Sequence, residues 1–246
     1  MYYIIMVKLV PAIVIDGPSY CKVKGVSKIL ASILNAKYIN ANSILNKVFK
    51  KSSYYNRLAT AEDRNFSYIE FLAEQVRKVP LVDIKINKEL VSKVRLCKEP
   101  TVFCGGLLAG FVSDVIIKIW VTADFEYRVR NYAKLYSSQL STADIKKHIY
   151  LKDNLDRDRF LRLYNIDLFT PANYNDILIK SNELNSRQIV GKIVSNSLFK
   201  SRIVHLFSYF KLGTEELTWR CRSCSFNYKG YAPKILCPKC GSMNLE

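Results

Sequence analysis

The stretch IVIDGPSYCKVKGVSK, residues 13–28, decides how this chain is read. An apolar run, Ile13 to Ile15, ends in Asp16, Gly17 and Pro18. Beyond it Val26, Ile29, Leu30, Ile33 and Leu34 recur at helical spacing. A buried strand, a tight loop and a helix form the arrangement in which backbone amides hold phosphate. In the working loop, G-x-x-x-x-G-K-[ST], glycines let the amides approach, the lysine reaches the β- and γ-phosphates, and the hydroxyl holds Mg²⁺. Aligned from Gly17, this chain has Lys22 at the second glycine, Val23 at the lysine and Lys24 at the hydroxyl position. A one-residue slip that made Lys24 the motif lysine would turn the apolar stripe by about 100°. The loop keeps the outline of a phosphate cradle without its lysine.

Outward from this stretch the pattern alternates. Residues 3–15 read as an edge piece and a buried strand interrupted by Pro11, and Tyr38 and Ile39 as a short second strand. Residues 41–58 and 67–78 read as helices, the latter opened by Ser67 with Glu70 three residues on. A helix over 87–96 follows Pro80. Strands are expected at 101–104 and 115–121, helices at 125–135 and 142–164, a last strand at 176–179 and a helix at 186–197. Strands alternating with helices predict an α/β fold, a parallel sheet flanked by helices.

Thirty-eight Lys and Arg stand against 21 Asp and Glu, a formal net charge of +17, while 49% of residues are hydrophobic. A packed core is expected, and the charge points to a polyanionic partner, with nucleic acid first. No apolar stretch reaches the roughly 18–20 residues that span a bilayer. The opening MYYIIMVKLV lacks a basic leader and a small-residue cleavage site, so a cytoplasmic protein with reduced thiols is expected.

After a bridge at 198–218 the composition changes, and residues 219–246 form a separate small module. Two C-x-x-C pairs, Cys221/Cys224 and Cys237/Cys240, are twelve residues apart, the spacing of four thiolates around one metal ion. Under thirty residues bury too little to fold alone, so the metal would supply most of the folding free energy. The segment resembles rubredoxin-like zinc ribbons through Trp219, Phe226, Gly230, Pro233, Pro238 and Gly241, with Ser225 where a Gly is usual. That resemblance implies zinc or iron. Cys21, Cys97 and Cys104 read as small apolar residues, and His148 and His205 as surface or core histidines. The Lys/Arg run from Arg128 to Lys152 reads as a solvated helix face.

Three stretches of residues 12–194 carry a second resemblance: the opening loop and helix, CGGLLAGFVSDVIIKIWVTADFEYRVRN, and DRDRFLRLYNIDLFTPANYNDILIKSNELNSRQIVGKI. They resemble the archaeal type of cytidylate kinase, with Arg159, Tyr164, Ile166, Asp167, Tyr174, Asp176 and Asn182 in register. Asp83 and Asn87 match two acids four apart. The resemblance implies a P-loop-kinase-like body at 1–197. It also marks departures: Tyr20 for a loop glycine, Gly25 for a threonine, Gly105-Gly106-Leu107 for a Gly-Arg-Leu loop, and Lys152 for the first lid arginine.

Phosphoryl transfer rests on positioning and charge neutralisation, so these losses predict a rate lower by several decades. The expectation is therefore a non-catalytic, cytidylate-kinase-like protein with a zinc ribbon, binding RNA or a ribonucleoprotein, with remnant nucleotide contacts at Gly17, Lys22, Lys24 and Arg159. A protein partner held through the ribbon is the blander form of this reading. The alternative is a divergent kinase that moves the γ-phosphate of ATP to CMP or dCMP with Mg²⁺, using Lys22 or Lys24.

Overall fold

A computed structural model describes residues 10–41, 43, 80–107, 110–136, 140–208, 217–220 and 224–230. The expected helices at 41–58 and 67–78 lie almost wholly outside the described residues. Five parallel strands form one sheet in the order β2-β3-β1-β4-β5: β1 Val10–Asp16, β2 Lys37–Asn40, β3 Thr101–Cys104, β4 Val115–Thr122 and β5 Ile177–Lys180. Every residue of β1 is buried, as a central parallel strand requires. Pro11 cannot donate to the ladder, and the β1–β4 register shifts between Val10 and Ile13, which accommodates it.

Alternation along β1 sends Ile13 and Ile15 to one face and Ala12 and Val14 to the other. The first face is covered by α1 Val23–Ile33, α5 Ser186–Ser195 and α6 Ser197–Ser208, through Val26, Leu30, Ile189, Ile193, Phe199 and Ile203. The second packs on α2 Pro80–Arg95, whose buried Ile86, Leu90 and Val94 line one stripe. The helix begins at Pro80, earlier than the sequence suggested, because a proline in the first turn gives up only an N–H with no intrahelical partner. Phe199 and Ile203 of α6 join the same core as β4, so the start of the expected bridge packs on the sheet.

Helices α3 Phe125–Tyr136 and α4 Thr142–Tyr164 form a smaller cluster around Val129, Tyr132, Ile145 and Ile149. Ser141 caps α4 by accepting from the Asp144 amide at 3.2 Å, and Asn165 ends it in the left-handed region. Asn185 and Gln188 form a capping box on α5. A separate antiparallel pair, β6 Leu217–Arg220 and β7 Asn227–Gly230, sets Trp219 opposite Tyr228. Among the described residues no helix is long and apolar enough to cross a membrane.

Candidate functional site

All five strands point one way, so Asp16, Cys104, Thr122 and Lys180 end at the same rim of the sheet, where ligands of open α/β sheets bind. The loop 17–22 crosses this rim from β1 to α1. Gly17 sits hard against β4: a Cβ added there would lie 2.1 Å from the Val121 carbonyl oxygen and 3.0 Å from Val23 Cγ2. Tyr20 and Lys22 hold φ of 69° and 63°, left-handed values that cost a non-glycine residue roughly 1–2 kcal/mol. Two non-glycine residues therefore keep a backbone course that glycine would adopt without strain.

Neighbouring helices hold this strained loop. The Tyr20 ring meets Tyr132 of α3 edge-on at 4.8 Å, and its hydroxyl lies 3.4 Å from Nε2 of the buried His148 of α4. Asn131 Nδ2 donates to the Tyr20 carbonyl at 3.0 Å. Lys22 Nζ donates to Tyr127 Oη at 2.5 Å and to the Leu184 carbonyl at 2.7 Å, tying the loop to α3 and to the β5–α5 connection. Val23 opens α1 half-buried against the core. Lys24, one residue on, is exposed. At Gly25 a Cβ would fall 2.7 Å from Ser186 Oγ, so a threonine there would require that hydroxyl to turn aside.

Across the rim, Gly105, Gly106 and Leu107 all have positive φ, and the Leu107 amide donates to Asp16 Oδ1 at 3.0 Å. A Cβ on Gly105 would meet nothing within 4 Å, so this loop borders open space. Burial raises the Cys104 thiol above its usual value, opposed by Ser27, Tyr38 and the charge of Lys24. Burial likewise pushes the Cys21 thiol to about 12 against the pull of Arg128. Cys21 and Cys104 are inert core thiols, while Cys97 is only half-buried.

A second cluster joins α2 to the end of α4. Asp83 is 2% exposed. Its Oδ2 accepts from Tyr164 Oη at 2.6 Å and from Asn87 Nδ2 at 3.1 Å, and its Oδ1 from Arg159 at 3.1 Å. Arg159 also donates to Asp156 at 3.0 Å, and Asp156 accepts from Lys152 at 2.7 Å. Arg157 grips Asp167 with two nitrogens, at 3.1 and 3.0 Å. Burial and the bond to Asp83 raise the Tyr164 phenol to about 12, so it stays a donor.

The structure thus gathers Gly17, Lys22 and Lys24 at one loop and places Arg159 in the Asp83 cluster. Sequence reading missed Tyr127 and the Leu184 carbonyl, which hold Lys22 from 105 and 162 residues away; no local pattern signals either. It also gave His148 no partner and put Arg128 on a solvated face. Arg128 is instead 4% exposed and paired with Asp153 of α4, with Nη1 3.2 Å from Oδ1. Of the four expected metal ligands, Cys221, Cys237 and Cys240 lie outside the described residues, and Cys224 is half-buried beside β7. No group of three or more His, Cys, Asp or Glu among the described residues is placed to hold a metal.

A strand, a six-residue loop and a helix over the carboxyl rim of a parallel five-stranded sheet define an α/β fold of the P-loop kinase kind. The cytidylate kinase-like family profile matches residues 12–183, and the chain belongs to that family. It is 26% identical over 179 residues to a cytidylate kinase from Archaeoglobus fulgidus, covering 72% of this chain and 89% of that one. It is 26% identical over 157 residues to a cytidylate kinase from Ignicoccus hospitalis, covering 63% and 81%. Among solved structures, shikimate kinase from Acinetobacter baumannii in complex with shikimate overlaps 76% of this chain and 93% of its own, at 15% identity and a TM-score of 0.44.

These matches overturn the expectation of a non-catalytic RNA-binding protein. The matched span takes in β1 from Ala12 onward, the other four strands of the sheet, the loop and the Asp83 cluster, and relatives named as kinases match over most of their own length. The expectation rested on departures at Tyr20, Val23, Lys24, Gly106 and Lys152, and a match over most of the body outweighs them. With Val23 at the lysine position, Tyr20 and Lys22 hold left-handed φ and Lys22 ties the loop to the β5–α5 connection.

Proposed function

We propose that this chain is a divergent nucleoside monophosphate kinase that transfers the γ-phosphoryl group of ATP to CMP or dCMP. The observation that carries the reading is the family match over residues 12–183, which includes the loop Gly17–Lys22 and the cluster of Asp83, Asn87, Arg159 and Tyr164. The loop offers the donor phosphates the first amides of α1 and the helix dipole. Arg159 suits the acceptor base, its guanidinium able to donate to the ring nitrogen and carbonyl while the buried Asp83 holds it in place. Lys152 and Arg157 sit on α4 in ion pairs with Asp156 and Asp167, a store of positive charge that re-pairing could turn toward phosphate.

The residues do not fit the usual Mg²⁺ arrangement at this loop. Lys24 stands where the metal-binding hydroxyl would be, and Ser27 Oγ donates to the Val23 carbonyl at 2.8 Å within α1. Mg²⁺ in this reading arrives as the ATP chelate.

The test is a product assay with ATP, Mg²⁺ and, in turn, CMP, dCMP, UMP and AMP. Equal amounts of ADP and CDP or dCDP are expected, with little product from AMP. No diphosphate from any acceptor would reject the reading.

A further inference from the structure

Two lysines flank Val23 and compete for the role that it vacates, and the structure separates them. Val23 is uncharged and packed against the core and Gly17. Lys22 is committed: its ammonium lies between Tyr127 Oη and the Leu184 carbonyl, 5.0 Å from the Tyr127 ring centroid, and so points toward α3 and the β5–α5 connection. Lys24 makes no hydrogen bond or ion pair to a described residue and is exposed. Its charge nonetheless reaches the Cys104 thiol at the end of β3, beside the open loop of Gly105 and Gly106. Lys24 thus stands as an exposed ammonium in the first turn of α1, directly after the loop that crosses the rim.

We infer that Lys24 carries the phosphate-binding charge of this loop, replacing both the motif lysine and the hydroxyl-held metal ion, while Lys22 is a positioning residue. The inference rests on the kinase reading and deepens it. An ammonium is a point charge with three donors and can serve phosphate oxygens from a position where a hydroxyl would need a cation between. Lys22 spans from the loop to two other elements, which fixes the left-handed turn immediately before α1 and so the direction in which Lys24 leaves the helix.

The experiment measures ATP affinity by calorimetry in Mg²⁺ and in EDTA, alongside CMP turnover, for the full chain and the variants Lys24→Gln, Lys24→Arg and Lys28→Gln. Lys28 is exposed one turn further along α1 and controls for general loss of charge. Lys24→Gln should weaken ATP at least tenfold in both buffers, Lys24→Arg less than threefold and Lys28→Gln less than twofold. An unchanged affinity in Lys24→Gln, or an equal loss in Lys28→Gln, overturns the inference while leaving wild-type turnover, and so the kinase reading, in place. A wild-type chain that neither binds ATP nor phosphorylates CMP overturns both.

Discussion

Tyr164 Oη donates to Asp83 Oδ2 at 2.6 Å, joining the end of α4 to the first turn of α2 across 81 residues. The same carboxylate takes bonds from Asn87 and Arg159, so one buried charge is shared by two helices. Lost burial area does not describe such a centre: removing its charge leaves three donors facing a neutral group.

Asp83→Asn should therefore destabilise the fold by about 3 kcal/mol, since breaking a buried pair strands its partner. Tyr164→Phe should cost less, about 1 kcal/mol, because Arg159 and Asn87 still serve the carboxylate. Urea unfolding of the two variants beside wild type measures both. Equal, negligible losses would show that the cluster does not hold α2 to α4.

Gly17→Ala should be poorly tolerated. Its Cβ would fall 2.1 Å from the Val121 carbonyl oxygen, a backbone atom of the central sheet that cannot swing aside. A loss of ~3 kcal/mol or more is expected, of the order seen for overpacking in a rigid interior. Thermal unfolding checks it; a melting temperature within about two degrees of wild type, the shift from a loss of ~1 kcal/mol or less, contradicts the close approach of loop and β4.

Asp156 gives an acid-side dependence. Burial acts to raise its carboxyl, but Lys152 and Arg159 outweigh that and hold it below the ordinary value. A depressed native value stabilises above the unfolded value, near 4, and that contribution fades as pH falls through the native one. Asp156→Asn should thus melt below wild type at pH 7, with the gap closing toward pH 3. A constant gap over this range would assign the effect to packing.

The four C-terminal cysteines form a proposal of their own. In the sequence the pair Cys221 and Cys224 falls between the paired strands β6 and β7, and C-x-x-C pairs at this spacing hold zinc or iron in small metal modules. One equivalent of zinc or iron should co-purify with the full chain and be released by chelator. Cys224→Ser and Cys237→Ser should each abolish retention. Metal content unchanged in both variants would locate the ion elsewhere.

Much of the body was legible because its signals are local. The β-branched run Val115–Val121 announced β4, and the 142–164 pattern gave α4 to the residue, since Ser141 and Asn165 stop it from both sides. Pairings between distant elements were illegible. Arg128 lay in a run of basic residues that suggested solvent, yet Asp153 lies 25 residues away on the facing helix. Lys22 and Lys24 stood as equal candidates in the sequence, and the groups that hold Lys22, Tyr127 Oη and the Leu184 carbonyl, lie 105 and 162 residues away. The same limit misjudged function: a missing side chain is visible in a sequence, whereas a backbone course kept by neighbouring helices is not.

The central claim is most directly tested by transfer of label from γ-labelled ATP to CMP in the presence of Mg²⁺, followed to completion with purified wild-type chain. Label appearing in CDP at many turnovers per chain, and failing to appear when ATP is replaced by β-labelled ADP, is the predicted result. Label that stays in ATP, or passes only to water, would contradict it.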